Sequence, residues 1–193
     1  MRVIAGIAKG RRIKMPPGLS VRPTLDKVRG AIFDILGDRV QNARFLDLFS
    51  GTGALGIEAL SRGARKVIFV EKSSRMRKLI EENLKLAGLD SRPFVIRVEA
   101  LSEIERLRRL GAIFDIIVLD PPYQAALGRG RSRLHLAEKT LQAIERNVIL
   151  APDGVLVAEH PLRRSLDFVG ENLKPLSTKK YGSTAVSFFG WNP

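Results

Sequence analysis

The chain has no cysteine, which removes disulfides, thiolate metal sites and a cysteine nucleophile together. Its two histidines, His135 and His160, are separated by twenty-four residues and form no ligand pattern, so no metal is expected. No apolar run approaches the roughly eighteen residues of a membrane span, and none follows Arg2 in the manner of an export signal. The expectation is a soluble, cytoplasmic, monomeric protein with no membrane partner. Acidic residues are also short. Twenty Asp and Glu stand against 33 Lys and Arg, giving a net charge of +13. That excess is well beyond what solubility requires, and it raises the encounter rate with phosphate backbones, so a nucleic-acid partner is expected.

At 193 residues with 45% hydrophobic content, one domain plus a small appendage is expected. The appendage is residues 1–21, and the main domain 22–193. Val3 to Ile7 reads as a short strand. Lys9-Gly10-Arg11-Arg12 turns into a second strand that ends at Pro16-Pro17. Ten Lys and Arg against three Asp lie in residues 1–44, over half of the excess charge. A basic hairpin of this kind grips nucleic-acid backbone, with Lys9, Arg11 and Arg12 as its contacts. A helix then begins at Pro23-Thr24, with Thr24 as N-cap and Leu25, Val28, Ile32, Ile35 and Leu36 at helical spacing. Gly37 stops it. Arg22 before it and Arg29 within it are further candidates to face a substrate.

From Arg44 the pattern becomes strand, turn, helix, repeated, the signature of a mostly parallel sheet with helices on both faces. Strands are expected over 45–49, 67–70, 94–98, 114–119, 155–159, 177–181 and 184–191. Helices are expected over 54–60, from Ser73 to about 87, over 135–149 and near 166–173. The fold class is thus α/β and Rossmann-like.

The chemistry concentrates at the first strand-to-helix turn. Gly51, Gly53 and Gly56 satisfy Gly-x-Gly-x-x-Gly, which lets backbone pass close beneath a ligand with a helix N-terminus behind it. Glu71, twenty positions after Gly51 and at the end of the next strand, suits the hydroxyls of a ribose. Asp47, a charge inside a buried strand, must reach a ligand or the loop amides. At the end of the third strand Glu99, Ala100 and Leu101 are placed to meet an adenine ring. These features alone leave a nicotinamide dinucleotide site open. A second site lies where the fourth strand runs into Asp120-Pro121-Pro122-Tyr123. The two prolines fix φ and remove donors, so carbonyls and Asp120 become aimed acceptors, and Tyr123 offers a flat face. The basic loop 124–133, with Arg129 and Arg131, follows as a candidate lid.

Asp47-Leu48-Phe49-Ser50-Gly51-Thr52-Gly53 together with Asp120-Pro121-Pro122-Tyr123 resembles the S-adenosylmethionine-dependent methyltransferases of exocyclic amines. With Arg22-Pro23-Thr24 and Arg2-Val3-Ile4-Ala5-Gly6, the whole chain resembles the RsmD family of bacterial 16S ribosomal RNA guanine-N2 methyltransferases. Gly30 and Asp34 depart from residues common in that family. The resemblance implies a seven-stranded sheet with a reversed last hairpin and S-adenosylmethionine as donor, with S-adenosylhomocysteine as product. It also implies a guanine in 16S RNA, or in the small subunit, as acceptor. Its glycine loop falls on Gly51 and Gly53, its ribose acid on Glu71 and its catalytic motif on residues 120–123; Phe49 and Lys72 complete the candidate cofactor set. Methyl transfer to DNA adenine or to a protein glutamine uses similar motifs, and an RNA-binding protein without catalysis retains the same fold.

Overall fold

Side chains alternate along the apolar strands and feed two separate cores, one on each face of a single sheet. Phe45, Val67, Phe69, Ile116 and Val118 belong to one core, and Leu46, Leu48, Ile68, Val70, Ile117 and Leu119 to the other. Strands buried on both faces therefore read as continuous apolar runs. The structure is a computed structural model describing residues 1–16, 23–90, 94–121, 133–163, 166, 168 and 170–192.

The seven strands are β1 (Arg44–Leu48), β2 (Lys66–Val70), β3 (Phe94–Ile96), β4 (Phe114–Leu119), β5 (Leu150–Pro161), β6 (Leu173–Tyr181) and β7 (Thr184–Trp191). They lie in the order β3-β2-β1-β4-β5-β7-β6. Pairings from β3 across to β5 are parallel, and β7 is antiparallel to both β5 and β6, which gives the reversed last hairpin. Among the described residues five α-helices, α1 (Pro23–Leu36), α2 (Ala54–Ser61), α3 (Ser74–Ala87), α4 (Ala100–Arg109) and α5 (Arg133–Asn147), flank the sheet. The buried residues of α1, α2 and α3 join the first core and those of α4 and α5 the second. The helices thus change face between the two sides of β1. This opens a crevice at the carboxyl ends of β1 and β4, where open α/β sheets hold ligands. At the other end, Arg44 Nη2 and Asp115 Oδ1 are 2.7 Å apart across the same two strands, and the pairing pulls the Asp115 carboxyl below its ordinary value.

The caps of α3 are those its sequence asks for. Ser73 accepts the Met76 N–H, Gly88 takes the left-handed conformation at φ 68°, and Ile80, Asn83, Leu84 and Ala87 turn inward. Several expectations need correction. Thr24 lies inside α1, one residue after its Pro23 start, so it is not the N-cap. The expected third strand continues only to Ile96, and an unexpected helix, α4, follows with Glu99 at its N-cap position. Among the described residues near 166–173 none is helical: Leu166, Phe168 and Gly170 are irregular, and Leu173 already begins β6. Pro152-Asp153-Gly154 is not a turn before β5 but a register irregularity within it, since Phe114 pairs with Leu150 and Ile116 with Val155.

The N-terminal segment forms one antiparallel bridge, Arg2 to Arg12, around a tight turn. It is shorter as a hairpin than its sequence suggests, because its polar groups go to helices instead of to a longer ladder. Ile4 and Ala5 donate their N–H groups to the two carboxylate oxygens of Glu58 at 2.8 and 2.9 Å, and Ala8 donates to Ser61 Oγ at 2.9 Å. Val3, Ala8 and Ile13 are buried in the first core. Among the described residues, no helix is long and apolar enough to cross a membrane.

Candidate cofactor and active site

The carboxyl ends of β1, β2 and β4 enclose a cavity of about 780 Å³, within the range of about 300–1,000 Å³ usual for small-molecule sites. Its near wall is the turn leaving β1. Phe49 there adopts a left-handed φ of 70°, which a side chain with a bulky ring rarely takes, at a cost of order 1–3 kcal/mol. Gly51 and Gly53 follow at φ 54° and 79°. A Cβ on Gly51 would meet nothing closer than the Phe49 carbonyl at 4.0 Å, so its side-chain space stands open. Gly56 serves packing instead: a Cβ there would sit 2.2 Å from the Phe69 ring, so α2 can rest on β2 only with glycine at that position.

The loop amides are spent internally. Gly51 donates to Glu71 Oε2 at 3.0 Å, Gly53 to the Ser50 carbonyl at 2.7 Å, and Gly56 to Asp47 Oδ2 at 3.1 Å. Glu71 also accepts from the Ser73 N–H at 2.8 Å. Asp47 and Glu71 therefore shape the turn from below, and Asp47 reaches the loop amides as expected of a buried strand carboxylate. These three amides are therefore not free to cradle a pyrophosphate.

The charge in the cavity points the same way. Asp47, Glu71, Glu99, Asp120 and Glu159 all line it, in a protein whose net charge is +13. Asp47 is 2% exposed. Burial first, and then the neighbouring charges of Asp120 and Glu71, pushes its carboxyl up to about 7, against the opposing hydrogen bond from Gly56. Lys72 and Lys139 stand exposed, and the buried Arg29 in the lining is already matched by Asp26 and Glu58. Such a lining repels a dinucleotide's phosphates and suits a cation that also carries hydroxyls. The residues present fit S-adenosylmethionine on these grounds: open space at Gly51, ribose acceptors on Glu71, and buried carboxylates facing positive charge.

The structure brings Asp47, Phe49, Gly51, Glu71, Lys72, Glu99, Ala100, Leu101 and Asp120 to this one cavity, with Gly53 in the same turn. Pro121 is buried directly after Asp120. Pro122, Tyr123, Arg129, Arg131 and Arg22 lie outside the described residues. Lys9, Arg11 and Arg12 are exposed on the N-terminal segment. Arg29 lines the same cavity, as a candidate to face a substrate should, but it is not an open nucleic-acid contact: it is 3% exposed, lies 3.1 Å from Asp26 and 3.5 Å from Glu58, and donates to the Arg2 carbonyl, so it also anchors the N-terminal segment from within.

Sequence reasoning missed three residues that build the site. Glu58, fully buried in α2, holds the backbone of Ile4 and Ala5; a lone acid within the apolar run Ala-Leu-Gly-Ile-Glu-Ala-Leu is the signal that could have found it. Asn83, buried in α3, accepts from Lys14 N–H at 2.7 Å and donates to the carbonyls of Lys14 and Thr52 at 3.1 and 3.0 Å. It ties the N-terminal segment to the glycine turn. Glu159, 7% exposed on β5, enters the cavity because β5 pairs with β4, which no local pattern shows.

Comparison with known proteins agrees with this geometry. The family model described as "Conserved hypothetical protein 95" matches residues 1–190. Ribosomal RNA small subunit methyltransferase D of Escherichia coli (strain K12) is 30% identical over 98% of this chain and 89% of its own length. YlbH of Bacillus subtilis (strain 168), which carries the provisional name rRNA methyltransferase, is 36% identical over 98% of both chains. A solved Escherichia coli structure described provisionally as methyltransferase yhhF superposes with a TM-score of 0.81 at 26% identity, covering 100% of this chain and 98% of that one. With the match running from residue 1 to residue 190 and these relatives aligned along nearly their whole length, the chain belongs to the "Conserved hypothetical protein 95" family, the RsmD family.

Proposed function

We propose that this protein uses S-adenosylmethionine to methylate the exocyclic N2 amine of a guanine in 16S ribosomal RNA, presented as free RNA or in the small subunit. The coarser part, rRNA methylation by an RsmD-type enzyme, follows from the family. The observation that carries the finer reading is the placement of Asp120 at the end of β4, across the crevice from the Gly51 turn and Glu71.

When bound, S-adenosylmethionine supplies a methyl group on a cationic sulfur and leaves as S-adenosylhomocysteine. Glu71 accepts from the ribose hydroxyls with the lone pairs left over from Gly51 and Ser73. The Gly51 turn lets backbone pass beneath the ligand, and Asp47 contributes negative charge below it. Glu99, Ala100 and Leu101 border the adenine. The amine of guanine is a poor nucleophile because its lone pair is delocalised into the ring. Asp120 and the Pro121 carbonyl accept its two N–H bonds, localise that pair and hold the nitrogen in line, so orientation supplies much of the rate. Asp120 then takes the surplus proton. Pro122 and Tyr123 complete the motif, Tyr123 stacking on the base once it has left its helix. Residues 1–21, with Lys9, Arg11 and Arg12, grip the RNA backbone as an extension of the 22–193 methyltransferase domain. Arg22, Thr24, Arg129 and Arg131 extend that contact. The enzyme acts as a cytoplasmic monomer without a metal.

The test is digestion of ribosomal RNA, DNA and protein substrates to their components after reaction, with mass spectrometry of the products. N2-methylguanosine from 16S RNA is expected. N6-methyladenine in DNA or methylated glutamine assigns the same chemistry to another acceptor, and no methylated product at all leaves an RNA-binding protein without catalysis.

A further inference from the structure

A second cavity, of about 630 Å³, lies between the N-terminal segment and α3. Arg12 and Lys14 border it from the segment, and Arg75 and Lys78, three apart on one side of α3, border it from the helix. Glu82 is its single lining acid and is paired with Lys14 at 3.1 Å. Among the described residues Arg12, Arg75 and Lys78 form no ion pair, whereas Arg77 on the same helix pairs with Glu81 at 3.0 Å. Four cations, Arg12, Lys14, Arg75 and Lys78, against one acid around a single concavity mark a place for an anion.

The groove is also held rigid and aimed. Asn83 fixes both the N–H and the carbonyl of Lys14, so one wall is pinned to α3 by two hydrogen bonds. Met15 lines this groove and the cofactor cavity alike, and Ser73 of the larger cavity adjoins Ser74 of the smaller. The groove therefore lies beside the cofactor cavity, with Met15 on the wall of both. Leu79 and Met15 give it apolar surface suited to sugar and base faces.

We propose that this groove binds the phosphate backbone of the RNA strand that continues from the target nucleotide, with Arg75 and Lys78 of α3 as contacts beyond the N-terminal segment. The inference rests on the rRNA methyltransferase reading.

The test is Arg75→Gln with Lys78→Gln, against a charge-matched control, Arg108→Gln with Arg109→Gln, at the end of α4 on the opposite face of the sheet. Affinity for 16S RNA is measured from 50 to 200 mM salt, with S-adenosylhomocysteine binding as the check on folding. Two lost phosphate contacts lower the slope of log affinity against log salt by about 1.4, so the variant's deficit shrinks about sevenfold over that range. The α4 pair keeps the full slope, and cofactor affinity holds within twofold in both. Equal losses in the two pairs, or a full slope in the α3 pair, overturn the groove and leave the enzymatic reading standing. A wild-type protein that neither binds nor methylates RNA overturns both. Should the double variant lose S-adenosylhomocysteine affinity, Lys78→Gln alone must still lower the slope by about 0.7; an unchanged slope then overturns the groove.

Discussion

Replacing Asp47 by Asn separates the charge at the base of the cavity from its shape. The carboxyl is 2% exposed, and its titration lies at about 7 because burial and the charges of Asp120 and Glu71 disfavour ionisation. At pH 6 it is mostly neutral and at pH 8 mostly charged. A cationic ligand binds the charged form better, so its affinity must rise with pH. Where the cation holds the carboxyl in its charged form, affinity for S-adenosylmethionine strengthens by up to about tenfold between pH 6 and 8, the change in the charged fraction of a group that titrates at about 7. In Asp47→Asn the amide oxygen still accepts from Gly56, and the rise disappears. Stability moves in the opposite sense. An acid whose folded value is raised from 3.8 to about 7 binds more protons folded than unfolded between those values. Wild-type stability therefore falls as pH climbs through that window, by a ceiling of about 4 kcal/mol for some three units, and the Asn variant escapes this loss. Calorimetry with S-adenosylmethionine at pH 6, 7 and 8 reads the first effect, and thermal melts at pH 4, 5, 6 and 7 read the second. A wild-type affinity that is flat across this range, or an Asn variant that retains the tenfold rise, refutes the reasoning.

Glu71→Ala removes a ribose acceptor and the tether of Gly51 and Ser73, so calorimetry should show cofactor binding weaker by about 1.5–3 kcal/mol. Gly56→Ala drives a methyl into the Phe69 ring and should lower stability by about 1–3 kcal/mol in denaturant melts. Glu58→Ala leaves Arg29 buried beside only Asp26 and unpins Ile4 and Ala5; a loss of about 3–5 kcal/mol is expected. Neutralising Lys9, Arg11 and Arg12 should reduce the salt slope of RNA binding by about two to three while cofactor affinity stays unchanged. A full slope with a lowered melting temperature would make the segment a structural cover.

What the sequence reveals and conceals here follows from the range of each interaction. The four central strands, the caps of α3 at Ser73 and Gly88, and the twenty-residue interval from Gly51 to Glu71 are local patterns, and the structure shows strands, caps and a hydrogen bond where they point. The final hairpin is equally legible, because Gly182-Ser183 separates two apolar stretches. Residues 94–109 mislead because β3 has only three residues, so the expected strand overran it toward α4, although Ala100, Ile104 and Leu107 carry a helical spacing that could have been read. The segment near 166–173 fails for the opposite reason: helical spacing exists in Leu166 and Leu173, yet Leu173 is claimed by pairing with Trp191 of β7. Glu58, Asn83 and Glu159 act through partners on other elements, most of them far off in sequence, so nothing adjacent to them announces a role. Arg29 does line the cavity, as its place in α1 suggests, but its burial beside Glu58 and Asp26 is set by partners that no local pattern shows.

The central claim is that Asp120 orients a nucleotide amine toward a methyl donor held by the Gly51 turn and Glu71. The most direct measurement is transfer of labelled methyl from S-adenosylmethionine to 16S RNA or small subunits by Asp120→Ala, with donor affinity measured on the same preparation. The account predicts turnover reduced by at least about a hundredfold with donor affinity within a few-fold of wild type. Wild-type turnover in Asp120→Ala would contradict it.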